Sequence, residues 1–127
     1  MRSSGGHIPS FKDRVPFDVR LRDALNVRAQ HLDKVPIVIE RYEGENSLPV
    51  LPRCKYLVPS HITIAELMQI VRKRMDLHWS QSFFMFVRNK SLISNSMTVG
   101  ELYHKEVDDD GFLYISYATQ LAFGFLE

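Results

Sequence analysis

The sequence predicts an α+β fold, a mixed sheet wrapped around one central helix with two further helices ahead of it. Three features carry that expectation. The run Lys34-Val-Pro-Ile-Val-Ile-Glu-Arg41 is β-branched and reads as a strand. Two capping boxes, Thr63-x-x-Glu66 and Thr98-x-x-Glu101, each announce a helix start. Phe83-Phe-Met-Phe-Val87 and Phe112-Leu-Tyr-Ile-Ser-Tyr117 are strongly β-forming.

Taken in order, Ser10 caps a brief helix over 10–14, and Pro16 suits the first position of a second helix running to about residue 31. On that helix Leu21, Ala24, Leu25 and Arg28 recur at helical spacing. Pro36 lacks an amide donor, so it belongs near the start of its strand or on an edge. Gly44, Pro49 and Pro52 mark a long connection to a returning strand at 54–58, which Pro59 stops. The helix opened by Thr63 runs to about Met75, with Leu67, Ile70, Val71 and Met75 along one face. A strand at 83–87 leads to a turn at Arg88-Asn89, then a short helix through Lys105, a turn at Asp108-Asp-Asp-Gly111 and the last strand. Without the two leading helices, this order is the ubiquitin-like β-grasp arrangement. The expected division is a helical extension at 1–33 packed on a core at 34–118, with a flexible tail at 119–127.

Composition narrows the class. With 127 residues and 45% apolar content, the chain is of a size to bury one core. Residues 1–34 carry seven basic against four acidic side chains, net +3, and residues 79–127 carry three against six, net −3. This modest dipole lacks the basic excess of a nucleic-acid binder. Cys54 is the only cysteine, so no internal disulfide forms and a reducing, cytoplasmic setting is expected. No apolar run approaches the roughly 20 residues of a membrane span, and Met1-Arg-Ser-Ser-Gly-Gly6 has neither a signal-peptide core nor a myristoylation site. The five histidines are scattered without paired ligand spacing, so no metal or other cofactor is expected, and no catalytic constellation appears. Asp108-Asp-Asp-Gly111 reads as a solvated turn rather than a calcium loop. Cys54 reads as strand packing rather than a nucleophile, Arg72-Lys-Arg74 as a solvated helix face, and Trp79 as a cover for the end of the central helix.

Several stretches coincide with one family: Pro9-Ser-Phe-Lys-Asp-Arg14, residues 34–42, Leu57-Val-Pro-Ser60, Ile70-Val-Arg-Lys-Arg74, Asp110-Gly-Phe-Leu-Tyr114 and Phe123-Gly124. On these the chain resembles the ubiquitin-like autophagy modifiers, the microtubule-associated light-chain-3 and GABARAP family, from about residue 9 to residue 124. Glu40-Arg-Tyr-x-Gly-Glu45 and Leu48-Pro49 are closer to the light-chain-3 branch. Arg72-Lys-Arg74 and Tyr114-Ile-Ser-Tyr117 look more like GABARAP.

The resemblance implies a modifier, not an enzyme. A processing cysteine protease would cut after Gly124, next to Phe123, removing Phe125-Leu-Glu127. Activating and conjugating enzymes would then carry the new carboxylate through thioesters to the amine of phosphatidylethanolamine, moving the protein from cytoplasm to autophagosomal membrane. The steric case for glycine is that a narrow active-site channel admits bare backbone more readily than a side chain. From Ala118 to Gly124 the extended reach is roughly 20 Å. Cargo receptors carrying aromatic-x-x-aliphatic motifs would add a strand to an edge at Arg53, Cys54, Lys55 and Tyr56.

The family's aromatic pocket maps onto Asp23, Val27, Pro36, Val38, Lys55, Leu57 and Phe112. Its aliphatic pocket maps onto Tyr56, Val58, Pro59, Leu67, Ile70, Val71 and Arg74, with Leu67, Ile70 and Val71 expected to be partly exposed in a groove. Positions one and four of the motif are expected to point only approximately to the same face, with strand twist absorbing the offset. Two anchors at about 1.5–3 kcal/mol each suggest affinity of micromolar order. Basic residues Arg14, Arg28, Lys55 and Arg74 would favour acidic flanks. Val15 stands where a second Arg is frequent, Tyr56 where Phe is frequent, and Leu121 at an often polar position. Two alternatives remain: a soluble peptide-binding adaptor that is never conjugated, and a tubulin-binding protein acting through the basic N-terminal helices.

Overall fold

The computed structural model describes residues 8–88 and 91–119. Its elements are α1 (Phe11–Arg14), α2 (Phe17–Gln30), β1 (Lys34–Arg41), β2 (Lys55–Pro59), α3 (Ile64–Met75), β3 (Phe84–Val87), β4 (Ser91–Leu92), α4 (Val99–Glu106) and β5 (Leu113–Ala118). The strands form one sheet in the order β2-β1-β5-β3-β4. Only β1 and β5 run parallel; the other neighbours are antiparallel. This is the ubiquitin-like β-grasp with two added N-terminal helices. Phe123 and Gly124 lie outside the described residues.

The expected caps form. Ser10, Thr63 and Thr98 each accept from the backbone three residues on, and Asp13, Glu66 and Glu101 return the bond. Pro16 caps α2 instead of occupying its first turn. At the far end of α3, Asp76 adopts a left-handed conformation (φ 53°) and its amide bonds back to Arg72 and Lys73. Among the described residues no helix is long and apolar enough to cross a membrane.

Both faces of the sheet are covered, which explains the unbroken apolar run in β1. Val35, Ile37 and Ile39 point with Leu113, Ile115 and Tyr117 toward Ile64, Leu67, Val71 and Met75 of α3 and Val99 and Leu102 of α4. Val38 points the other way, into a cluster with Phe11, Ala24 and Phe112 beneath α1 and α2. Pro36 is tolerated because of its register. Hydrogen bonds from Ile39 N to the Cys54 carbonyl and from Ser60 N to the Asp33 carbonyl put the odd residues of β1 in ladder contact with β2. The nitrogen of Pro36 therefore faces β5, whose pairing begins only at Ile37.

The turn at 108–111 corrects the expectation of a solvated loop. Asp110 is 0% exposed and accepts from Arg20 Nε at 2.7 Å, Phe112 N at 2.9 Å and the Tyr114 hydroxyl. Arg20 is itself buried and also donates to the Val15 carbonyl at 2.6 Å. Asp108 pairs with Lys12 at 2.8 Å. Thus two cations of the positive N-terminal segment are neutralised by acids of the negative C-terminal one, and the charge dipole is smaller than the sequence suggests. Gly111 holds φ +91°, and a Cβ there would lie 2.8 Å from that of Ala24. Only glycine fits this close approach of turn to helix.

Other expectations also change. Leu25, at helical spacing from Leu21, is 61% exposed, and the buried positions of α2 are Arg20 and Ala24. Trp79 is 85% exposed and leaves the helix end uncovered; its ring lies against His78.

Candidate functional site

Strand β2 forms one border of the sheet: among the described residues it pairs with β1 alone. Since even residues from Cys54 to Ser60 bond toward β1, alternation sends the N–H and C=O groups of Lys55 and Leu57 outward. That is an open ladder of backbone donors and acceptors, which another extended chain can complete. Pro59 has no N–H and closes the ladder. The edge expected at 53–56 is displaced: β2 starts at Lys55, and Cys54 joins only through its carbonyl, while Arg53 precedes the strand. The Tyr56 hydroxyl donates to the Arg53 carbonyl at 2.8 Å, holding that approach segment in place.

The residues expected in two pockets gather on either side of this edge, on opposite faces of the sheet. On the α2 side, Lys55 and Leu57 lie across from Val38 and Pro36. The Lys55 ammonium reaches Asp23 at 2.7 Å and sits 6.0 Å from the centre of the Phe11 ring. Val38 and Phe112 are buried in the cluster beneath α1 and α2, and Val27 and Asp23 of α2 are half-buried. On the α3 side, Tyr56 and Val58 lie across from Ile37 and Val35. Arg74 covers the Tyr56 ring at 5.9 Å. Burial pushes the Tyr56 hydroxyl pKa up, against the lowering effect of Arg74, so the ring stays neutral at physiological pH.

This arrangement corrects the expectation that motif positions one and four share a face. Residues three apart in a strand project to opposite faces, so a strand added at β2 would send one anchor to each side. Leu67 and Val71 are also corrected, for both are buried core residues. Only Ile70, 42% exposed, reaches the surface from that trio. Leu67 and Val71 face the sheet, whereas Ile70 and Arg74 flank β2 on the next ridge of α3.

The basic residues are spread along the edge. Arg14 donates to Cys54 Sγ at 3.4 Å, beside the start of β2. Arg28 donates to the Lys34 carbonyl, opposite Pro59 at its other end, and packs on the Tyr103 ring at 4.8 Å. Cys54 is half-buried and, with Arg14, Arg41, Tyr42 and Leu51, lines a recess of about 900 Å³.

Two polar centres that support the site have no local sequence signature. One is Arg20–Asp110, whose only hint is that Arg20 shares a helix face with Ala24. The other is Glu45, 2% exposed, which gathers Ser47, Leu48 and Thr119 around its carboxylate.

Comparison with known proteins agrees with this geometry. Residues 19–124 match the family model described as autophagy protein Atg8, ubiquitin like. The chain is 54% identical over 119 residues to the protein lgg-2 of Caenorhabditis elegans, spanning 94% of this chain and 92% of that one. It is 42% identical over 123 residues to human microtubule-associated protein 1 light chain 3 gamma, spanning 94% and 84%. Among solved structures, Trypanosoma brucei ATG8 superposes with a TM-score of 0.80 at 32% identity, covering 93% of this chain and 95% of the other.

Proposed function

The chain belongs to the Atg8 family of ubiquitin-like autophagy proteins, and from that premise we propose that it is a modifier joined through Gly124 to phosphatidylethanolamine, displaying the β2 groove on the autophagosomal membrane. The observation that carries the groove half is the open ladder at Lys55 and Leu57, with apolar clusters packed under the sheet on each of its faces. An extended peptide completes the ladder there, its aromatic anchor entering between α2 and the sheet and its aliphatic anchor between α3 and the sheet. The exposed cations Arg14, Lys55 and Arg74 attract acidic residues flanking the motif, an effect that salt weakens.

Support for the conjugation half is that the family match ends on Gly124, with three residues following it. The chemistry belongs to partner enzymes. A cysteine protease hydrolyses the Gly124–Phe125 peptide bond. The freed carboxylate is adenylated by ATP with release of pyrophosphate, transferred to a cysteine thiol as a thioester with loss of AMP, passed to a second thiol, and finally captured by the lipid amine with loss of that thiol. Two acyl chains, at about 0.8 kcal/mol per buried methylene, then hold the domain on a bilayer.

The test is intact mass of protein recovered from cells. A species ending at Gly124 and carrying a lipid is expected, and Gly124→Ala should abolish it while leaving motif-peptide affinity unchanged. Full-length protein alone, under conditions that induce autophagy, would refute conjugation. The groove geometry is independent of Gly124 and favours one second reading, a soluble motif-binding adaptor. That reading would be favoured if Lys55→Ala abolished cellular function and Gly124→Ala did not. The tubulin reading would act through the basic N-terminal helices, of whose cations Lys12 and Arg20 are paired within the fold.

A further inference from the structure

We propose that Glu45 is a positioning residue for reaction at Gly124: its buried carboxylate pins the backbone at Thr119, so the glycine is presented from a fixed point five residues away. The inference rests on the conjugation reading above and adds to it a residue distant in sequence from the reacting end. Glu45 lies in the connection after β1. One carboxylate oxygen accepts from Ser47 N at 2.9 Å, Ser47 Oγ at 2.8 Å and Leu48 N at 2.9 Å. The other accepts from Thr119 N at 2.7 Å and Thr119 Oγ1 at 3.1 Å. Thr119 is the first residue beyond β5. The Glu45 contact holds the backbone at that residue.

The loop side of this clamp is itself bonded to the sheet. The Tyr117 hydroxyl donates to the Pro49 carbonyl at 2.7 Å and accepts from Leu51 N at 3.1 Å, and Arg41 Nη1 donates to the Leu48 carbonyl at 2.8 Å. Leu48 and Leu51 are buried in the main core. Glu45 therefore ties Thr119 to a loop that is bonded to β1 and β5 and packed into the core. An apolar side chain could fill the same space, but it would not specify the direction of the backbone. A fully satisfied buried carboxylate does.

From Thr119 to Gly124 the extended chain spans roughly 17 Å. An enzyme that binds the folded domain and receives the glycine in a recessed site must find it within that radius. Releasing Thr119 adds free backbone that the enzyme has to order on binding. The freedom of one residue corresponds to roughly a tenfold penalty in binding. Since the penalty falls on association and not on the bond-breaking step, KM rises and kcat stays.

The experiment compares cleavage of wild type and Glu45→Gln by the processing protease of the family, with hydrogen exchange at the Thr119 amide and motif-peptide affinity measured on the same samples. Expected are cleavage after Gly124 with KM raised about tenfold at similar kcat, loss of Thr119 protection, and unchanged peptide affinity. Ser47→Ala, which trims only the loop side, should leave KM within about twofold. If Glu45→Gln is not folded at the assay temperature, Thr119→Ala replaces it, with an expected rise in KM of about threefold. Equal KM values with Thr119 exposed to exchange would overturn the inference and leave conjugation standing. Failure of wild type to be cleaved would overturn the conjugation reading, and this inference with it.

Discussion

Asp110→Ala is a perturbation from which the structure predicts a large loss of stability. The carboxylate is fully buried, and its removal strands three donors at once: Arg20 Nε, the Phe112 amide and the Tyr114 hydroxyl. The guanidinium is the costly one, because α2 and the 108–112 turn enclose it and Asp110 is the acid paired with it. Breaking a buried ion pair by deleting one partner typically costs about 3–5 kcal/mol. For a chain of this size that corresponds to a fall in Tm of roughly 10–20 °C. Urea unfolding followed by circular dichroism would measure the change in free energy, and the m-value should not move, since the surface exposed on unfolding is the same. The companion variant Arg20→Met with Asp110→Ala should recover at least half the loss, because no buried charge is then unpaired. A loss below about 1 kcal/mol for Asp110→Ala, or a double variant no more stable than the single, would refute the view that this pair clamps the helical layer to the sheet.

Gly111→Ala should cost about 1–3 kcal/mol in the same unfolding assay, from its positive φ together with the 2.8 Å approach to Ala24. Asp108 and Glu45 define an acid limit. Burial raises both carboxyls, but Lys12 and the Asp110 amide outweigh it at Asp108, and Thr119 and Ser47 outweigh it at Glu45, so both end below the usual carboxylate range. Their contribution is fully present above the unfolded pKa values and disappears as pH falls through the lower folded ones. Stability should therefore decline below about pH 4, and the decline should be shallower in Glu45→Gln, as thermal melts across pH 2–6 would show. Trp79→Ser should change stability by less than about 0.5 kcal/mol, and wild-type tryptophan fluorescence should be freely quenched by acrylamide, given the exposure of that ring. Lys55→Ala should weaken binding of an acidic-flanked motif peptide roughly threefold to tenfold at low salt, a difference that isothermal titration should find reduced at 0.5 M salt.

Local chemistry made the elements readable. The Thr63 and Thr98 boxes, the β-branched run of β1 and the aromatic run of β3 each act over a few residues, and they placed helices and strands to within a residue or two. Periodicity was less informative wherever both faces of an element meet protein. In β1 successive residues are buried on opposite faces, so alternation could not separate the main core from the α2-side cluster. In α2 the leucine spacing pointed to Leu25, while the sheet-facing position is held by Arg20, whose charge is admissible only because Asp110, ninety residues away, meets it.

By itself, the order of residues determined the kinds and sequence of the elements and the family resemblance that points to Gly124, because each depends on neighbours in the chain. Tertiary packing alone decided that the residues expected in two pockets divide between opposite faces of the sheet, that Leu67 and Val71 belong to the interior, and that Asp110 and Glu45 are buried anchors. Those outcomes turn on which distant donors arrive beside a side chain, and on the desolvation that follows. A sequence read residue by residue carries no term for either.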